Sequence, residues 1–108
     1  MQRDEVVLQD IVNAARLVKD FIQGFEKERF IQDWKTRSAV LYQITVIGEA
    51  VKRLSKEFRA DHPEIPWALI ARMRDNLIHG YDLVDWDEVW KTSTVDVPGL
   101  SDKIKSYR

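Results

Sequence analysis

Arg74, Asp75, His79 and Tyr81 fall within one eight-residue run, Arg74-Asp75-Asn76-Leu77-Ile78-His79-Gly80-Tyr81, which gathers a guanidinium, a carboxylate, an imidazole and a phenol. The rest of the chain offers little competing chemistry, with one other histidine, His62, and no cysteine. Imidazole exchanges protons near neutral pH without any perturbation of its pKa. Guanidinium presents a planar fork of donors that matches a phosphate. If this chain is an enzyme, these residues are where its chemistry belongs.

Each residue also has a plainer reading. Trp67, Ile70, Arg74, Leu77 and Tyr81 recur at helical steps, so Arg74 occupies an apolar stripe where a leucine is expected. Arg74 either snorkels to a carboxylate, with Glu49 on the preceding helix as the candidate, or reaches a cleft where it can meet a phosphate. Glu49 could steady the side chain in both cases. A histidine at a helix C-terminus is favoured by the helix dipole without being catalytic. Five residues turn a helix by about 500°, which leaves Arg74 and His79 about 140° apart, neighbours and not a superposed pair. Gly80 suits the helix C-cap, and Tyr81 then begins the exit loop.

The elements that must hold this run are helical. Val7, Leu8, Ile11, Ala14, Ala15, Val18, Phe21, Ile22 and Phe25 follow the three-four spacing of an amphipathic helix that ends near Gly24. A polar patch from Glu26 to Asp33 follows. Val40, Ile44, Ile47, Val51, Leu54 and Phe58 then predict a second long helix, whose narrow seam suits lengthwise packing. Asp61-His62-Pro63-Glu64-Ile65-Pro66 breaks it, and Pro66 is placed to open a third helix running to about Ile78. Asp85 and Glu88 have the spacing of a capping box for a fourth helix to about Thr94, ended by Val97-Pro98-Gly99. A short helix from Pro98 or Leu100 completes the chain. No segment alternates with period two. The expectation is one all-α domain over residues 1–108, an up-and-down bundle of four main helices plus a short C-terminal one, built around two long antiparallel helices.

Composition bounds the function. A chain of 108 residues, 44% hydrophobic and 32% charged, can bury one core. Without cysteine it has neither disulfides nor thiolate metal sites, which suits a reducing cytoplasm. No apolar signal region follows Met1, and no apolar run approaches the ~20 residues of a membrane span, so a soluble cytoplasmic protein is expected. A net charge of -1 counts against a general nucleic-acid coating protein. Any RNA contact has to be local.

Other clusters favour structural readings. Asp61, His62 and Glu64 could suggest a metal, yet a proline-rich turn accounts for them. Asp82, Asp85, Asp87 and Glu88 fit capping and solvation better than a cation site. Trp86 and Trp90 suit the core. Lys52, Arg53, Lys56 and Arg59 could guide RNA, but Glu49 and Glu57 dilute them, and a solvated face is the default.

Arg74, His79 and Tyr81 together form R-x4-H-x-Y, and this resembles the signature of the HEPN superfamily, in particular its HepT-like toxin branch. Asp75 fits the polar residue that follows the arginine there. Ile47-Gly48-Glu49-Ala50, Pro63-Glu64-Ile65-Pro66-Trp67, Val84-Asp85, Val89-Trp90 and Pro98-Gly99-Leu100 extend the likeness over nearly the whole chain. The resemblance implies a metal-independent endoribonuclease without cofactor, with Arg74 and His79 as the catalytic pair and Asp75 in support; Glu49 is a further supporting candidate from the stripe reading alone. It also implies a homodimer with two motifs facing one cleft. By the same likeness the partner is a minimal nucleotidyltransferase (MNT) antitoxin that adds AMP to Tyr81, as in a type VII-like toxin-antitoxin system. A second class stays open, in which the chain is a non-catalytic dimeric module that docks onto such a nucleotidyltransferase and presents a nucleotide site.

Overall fold

The computed structural model describes residues 2–79 and 83–108, and these fold as an all-α bundle. The chain forms α1 (Gln2–Ile22), α2 (Lys27–Gln32), α3 (Trp34–Lys52), α4 (Lys56–Asp61), α5 (Trp67–Ala71), α6 (Met73–Leu77) and α7 (Trp86–Lys91), then a π-helical turn (Thr92–Asp96) and α8 (Val97–Ser106). Among the described residues, β-pairing is limited to one isolated antiparallel bridge between Ile78 and Val84.

The first helix follows its apolar spacing, and Gly24 stops the chain just beyond it in the left-handed region (φ 81) that glycine adopts without a Cβ penalty. The α1 stripe of Val7, Leu8, Ile11, Ala14, Ala15 and Val18 buries against the α3 stripe of Val40, Ile44, Ile47, Ala50 and Val51. The end of α3 returns to the start of α1, where Arg53 lies 3.9 Å from Asp10 and Ser55 bonds to Asp4, so the two long helices are antiparallel. The seam of α3 is therefore consumed inside the chain, by α1.

The polar patch at Glu26 to Asp33 holds a helix the sequence did not announce. Six residues are too few for periodicity to register, but Phe30 is fully buried and tilts against Trp90 at 5.1 Å. Lys27 reaches Asp87 at 3.0 Å, so α2 is docked on α7. Asp33 then caps α3 by accepting the Thr36 N–H.

The second helix is shorter than its apolar rhythm predicts. It stops at Lys52, and Ser55 starts α4 by accepting the Phe58 N–H, so Phe58 belongs to a separate element. A tertiary contact causes the break. Asp4, only 3% exposed, accepts the Ser55 N–H at 2.8 Å on one oxygen and its hydroxyl at 2.6 Å on the other. Burial pushes the Asp4 carboxyl up, but these two bonds, together with nearby positive charge that includes Arg3, outweigh it and hold the group below the usual carboxylate value. Asp4→Ala should cost about 2 to 3 kcal/mol by urea denaturation at neutral pH, the scale of hydrogen bonds to a charged group. Because the folded pKa is lowered, this stability is present above the unfolded value near ~3.9 and is lost as pH falls through the folded one. Asp4→Asn should therefore flatten the acid limb of the stability curve. An unchanged limb would remove Asp4 from this role.

Pro66 is the cap of α5 and not its first helical residue, and the expected third helix is two pieces, interrupted at Arg72 and ended at Leu77. Asp85 caps α7 through the Glu88 N–H as the sequence suggests. Val97-Pro98-Gly99 does not end that helix. The chain passes through the π-helical turn into α8, where proline near the first position needs no N–H donor. Trp86 and Trp90 are half-buried against the core, and the Arg37 guanidinium lies 4.5 Å from the Trp86 ring centre.

Near the C-terminus, Tyr107 stacks on His62 at 4.0 Å and donates its hydroxyl to Glu64. That bond lowers the Glu64 carboxyl and pushes the Tyr107 phenol up to about 12. His62 and Glu64 thus pin α8 to the turn before α5. This is the structural reading of the Asp61, His62 and Glu64 cluster.

Candidate active site

Arg74 stands on α6, a helix of five residues whose phase is not inherited from α5 because the backbone breaks at Arg72. Leu77 and Trp67 still face inward, but Arg74 does not share their stripe: its side chain is 54% exposed. The expected charge on an apolar face is therefore absent, and no buried carboxylate is needed to offset it. Glu49 does not pair with Arg74. Its nearest cation is Lys52, at 3.5 Å, and it is itself exposed.

Arg74 and Glu49 nevertheless meet at one place. Thr45, Gly48, Glu49 and Lys52 of α3, with Ala71 of α5 and Arg74 and Asp75 of α6, line a small hollow of about 170 Å³. Gly48 makes the close crossing possible, since a Cβ there would lie 3.3 Å from the Ile70 carbonyl oxygen and 3.5 Å from that of Ala71. Arg74 Nη1 is 3.7 Å from Asp75 Oδ1, a loose pair in water that leaves most of the guanidinium fork free for an anion. Lys52, which the sequence places on a solvated face by default, brings a second cation to the hollow. Its signal was its spacing: Thr45, Glu49 and Lys52 lie at i, i+4 and i+7 on one face of α3.

His79 is exposed and lies beyond the end of α6, because Ile78 is already extended (φ -115, ψ 116). The helical angle between Arg74 and His79 thus does not apply, nor does placement against the dipole within the last turn. Backbone bonds at and around His79 hold its place in the chain instead. The His79 N–H donates to the Leu83 carbonyl at 2.7 Å, Ile78 bridges Val84, and the Asp85 N–H donates to the Leu77 carbonyl at 2.9 Å. Gly80 as helix cap, Tyr81 as modified residue and Asp82 in the acidic run all fall outside the described residues.

A guanidinium and an ammonium line one hollow, and a guanidinium fork suits a phosphate; His79 is exposed further along the chain and does not line that hollow. Comparison with known proteins gives the family: residues 11–107 match the family model described as Ribonuclease HepT-like. The chain belongs to the HepT-like ribonuclease family. A relative in Thermococcus cleftensis named "Probable ribonuclease HepT" is 44% identical over 101 residues, covering 94% of this chain and 92% of the relative. A "Putative RNase" of Caldanaerobacter subterraneus subsp. tengcongensis is 35% identical over 105 residues, covering 97% and 94%. Another, of Methanocaldococcus jannaschii, is 37% identical over 91 residues, covering 84% and 75%. No solved structure matches the chain. In this HepT-like ribonuclease the matched span takes in every element that lines the hollow, α3, α5 and α6, and His79 beyond them. Among the described residues, no helix is long and apolar enough to cross a membrane.

Proposed function

We propose that this protein is an RNA-cleaving toxin, an endoribonuclease that needs no metal and uses Arg74 and His79 as its catalytic pair. The observation that carries this reading is the hollow lined by both Arg74 and Lys52, with an exposed His79 five residues beyond Arg74 in the chain, in a member of a ribonuclease family. In the proposed reaction the RNA 2′-hydroxyl loses its proton and attacks the adjacent phosphorus, and the 5′-oxygen leaves with a proton. The products are a 2′,3′-cyclic phosphate and a 5′-hydroxyl. His79 exchanges protons, Arg74 neutralises charge developing on the phosphorane, and Asp75 and Glu49 orient the cations.

One chain supplies one such imidazole, so acid and base together call for a homodimer. The apolar seams of α1 and α3 cannot form its interface, since they are buried against each other. The exposed Tyr42, one residue-turn above Thr45 on α3, and the exposed Leu83 beside His79 flank the motif and remain available for a second copy. The regulatory partner in this reading is an MNT-type nucleotidyltransferase that transfers AMP to Tyr81. A bulky anion beside Arg74 would block a phosphate site by charge and volume.

The test is cleavage of RNA by purified, partner-free protein in excess EDTA, with sedimentation at micromolar concentration. Cleavage to cyclic phosphate ends by a dimer is expected. Intact RNA would favour the non-catalytic docking module, and an active monomer would remove the composite site. Tyr81→Phe should keep most cleavage yet escape neutralisation by the nucleotidyltransferase with ATP, because a phenol near ~10 is a poor base at neutrality. Mass spectrometry locating AMP only on Tyr42 or Tyr107 would sink that assignment.

A further inference from the structure

The face of α3 that borders the Arg74 hollow carries a second, more open one. Tyr42, Thr45, Val46, Glu49, Lys52 and Arg53 line a depression of about 480 Å³, and Thr45, Glu49 and Lys52 line the Arg74 hollow as well. The two are therefore parts of one surface, with Tyr42 on its α3 side and Arg74 on its α6 side. Tyr42 precedes Thr45 by three residues, a rise of about 4.5 Å along the helix. One nucleotide is long enough to touch both positions.

The fold does not bury the Tyr42 ring. It is 65% exposed, whereas Val40, Ile44 and Ile47 on the other side of the same helix are packed into the core. Val46, half-buried one turn further along, adds an apolar floor beside the ring. Around this apolar spot the lining is charged. Lys52, Arg53 and Arg74 stand there with Glu49 and Asp75, three cations to two carboxylates in a chain whose net charge is -1. The ion pairs are loose and exposed, with Lys52 3.5 Å from Glu49, Arg74 3.7 Å from Asp75 and Arg53 3.9 Å from Asp10, so the cations keep donors for an anion.

An exposed ring among cations matches single-stranded nucleic acid, which offers flat bases and phosphates in turn. A protein partner fits less well, since the core of a protein interface is depleted of charged residues. Duplex RNA fits no better, because a base stacked within an A-form helix has no free face for the ring. We propose that Tyr42 is a stacking platform for an unpaired RNA base next to the phosphate held at Arg74, with Lys52 and Arg53 drawing the flanking phosphate. The substrate class is then single-stranded RNA, with little preference for sequence, since every base has a π-face. This gives Tyr42 to the substrate and leaves Leu83 to the second copy. The role in cleavage rests on the ribonuclease proposal, whereas the binding does not.

The test measures fluorescence anisotropy of a short unstructured RNA whose 2′-hydroxyls are all methylated, so that it binds without being cut. Tyr42→Ala should weaken its binding by about fivefold or more, the lower end of what one stacked base contributes, while Tyr42→Phe should stay within about twofold of wild type, since stacking needs the ring and not the hydroxyl. Arg53→Ala should also bind more weakly and lower the slope of log K against log salt by about one. The same RNA annealed to its complement should not distinguish Tyr42→Ala from wild type. On RNA with free hydroxyls, Tyr42→Ala should raise KM by about fivefold or more and leave kcat and its pH profile unchanged, because the ring touches no reacting atom. Equal binding by Tyr42→Ala and wild type, or a loss in Tyr42→Phe as large as in Tyr42→Ala, would overturn the platform. A Tyr42→Ala chain that sediments as a monomer where wild type is a dimer would give the ring to the second copy and overturn it too. Binding that follows the expected pattern, with no cleavage of unmethylated RNA, would count against the ribonuclease proposal and leave the platform standing.

Discussion

His79→Ala should lower RNA cleavage by about a thousandfold, within the ~10² to 10⁴ that a positioned proton-transfer group contributes. Arg74→Ala should lower it by about 10² to 10³, the scale of one lost donor to a developing oxyanion. Neither change should unfold the protein. Both side chains are exposed, and Arg74 has only its loose contact with Asp75 to lose, so stability should move by less than about 0.5 kcal/mol. Arg74→Lys should restore charge but not the planar fork, and recover only part of the rate. Asp75→Asn should act more weakly than either alanine variant, since it touches the reaction only through Arg74. Initial rates on a single-stranded RNA, read beside thermal melts, separate these effects. Wild-type cleavage by folded His79→Ala protein would end the catalytic assignment. A fall of more than about 8 °C in the Arg74→Ala melt would make Arg74 a structural residue instead, since ~1 kcal/mol corresponds to about 4 to 8 °C in a domain of this size.

What could be read from the residues, and what could not, divides by the range of the forces involved. The α1 stripe, the Gly24 stop and the Asp85 cap are local, each set by residues within a few positions, and each stands where the spacing puts it. The seam of α3 was legible as a seam, but its partner was not, because nothing in Val40, Ile44 or Ile47 says whether a second copy or α1 will cover them. The breaks were the hardest. Ser55 interrupts an unbroken apolar rhythm because Asp4, 51 residues earlier, offers its carboxylate to the Ser55 backbone and hydroxyl. The interruption at Arg72 likewise changed the meaning of Arg74, from a buried charge needing Glu49 to an exposed one sharing a hollow with it. Lys52 gained a place at that hollow for the same reason: only the crossing of α3 with α5 and α6 decides which exposed cation is near which. Short helices such as α2 also escape periodicity, since six residues span less than two turns.

Gly48 is the residue on which that crossing depends, and its substitution gives the second large effect. A Cβ at Gly48 would stand 3.3 Å from the Ile70 carbonyl oxygen, so α5 must withdraw by a few tenths of an ångström to admit alanine. Against that squeeze, Gly→Ala within a helix gains about 1 kcal/mol of propensity, and the two effects nearly cancel. Gly48→Ala should therefore leave stability within about 1 kcal/mol of wild type while reducing cleavage several-fold. Gly48→Val has no such compensation, because the added methyl groups press on backbone and not on the yielding tip of a side chain. It should cost about 2 to 3 kcal/mol, as overpacking does. It should also cut cleavage by up to about a hundredfold, the effect of misplacing a catalytic group by about 1 Å. The loss should appear in kcat, since Arg74 and Lys52 remain present and exposed but no longer share one hollow. Denaturant midpoints and single-turnover rates of the two variants distinguish a displaced site from a merely weakened fold. Gly48→Val protein that melts and cleaves like wild type would show that the approach of α5 to α3 does not set the position of Arg74.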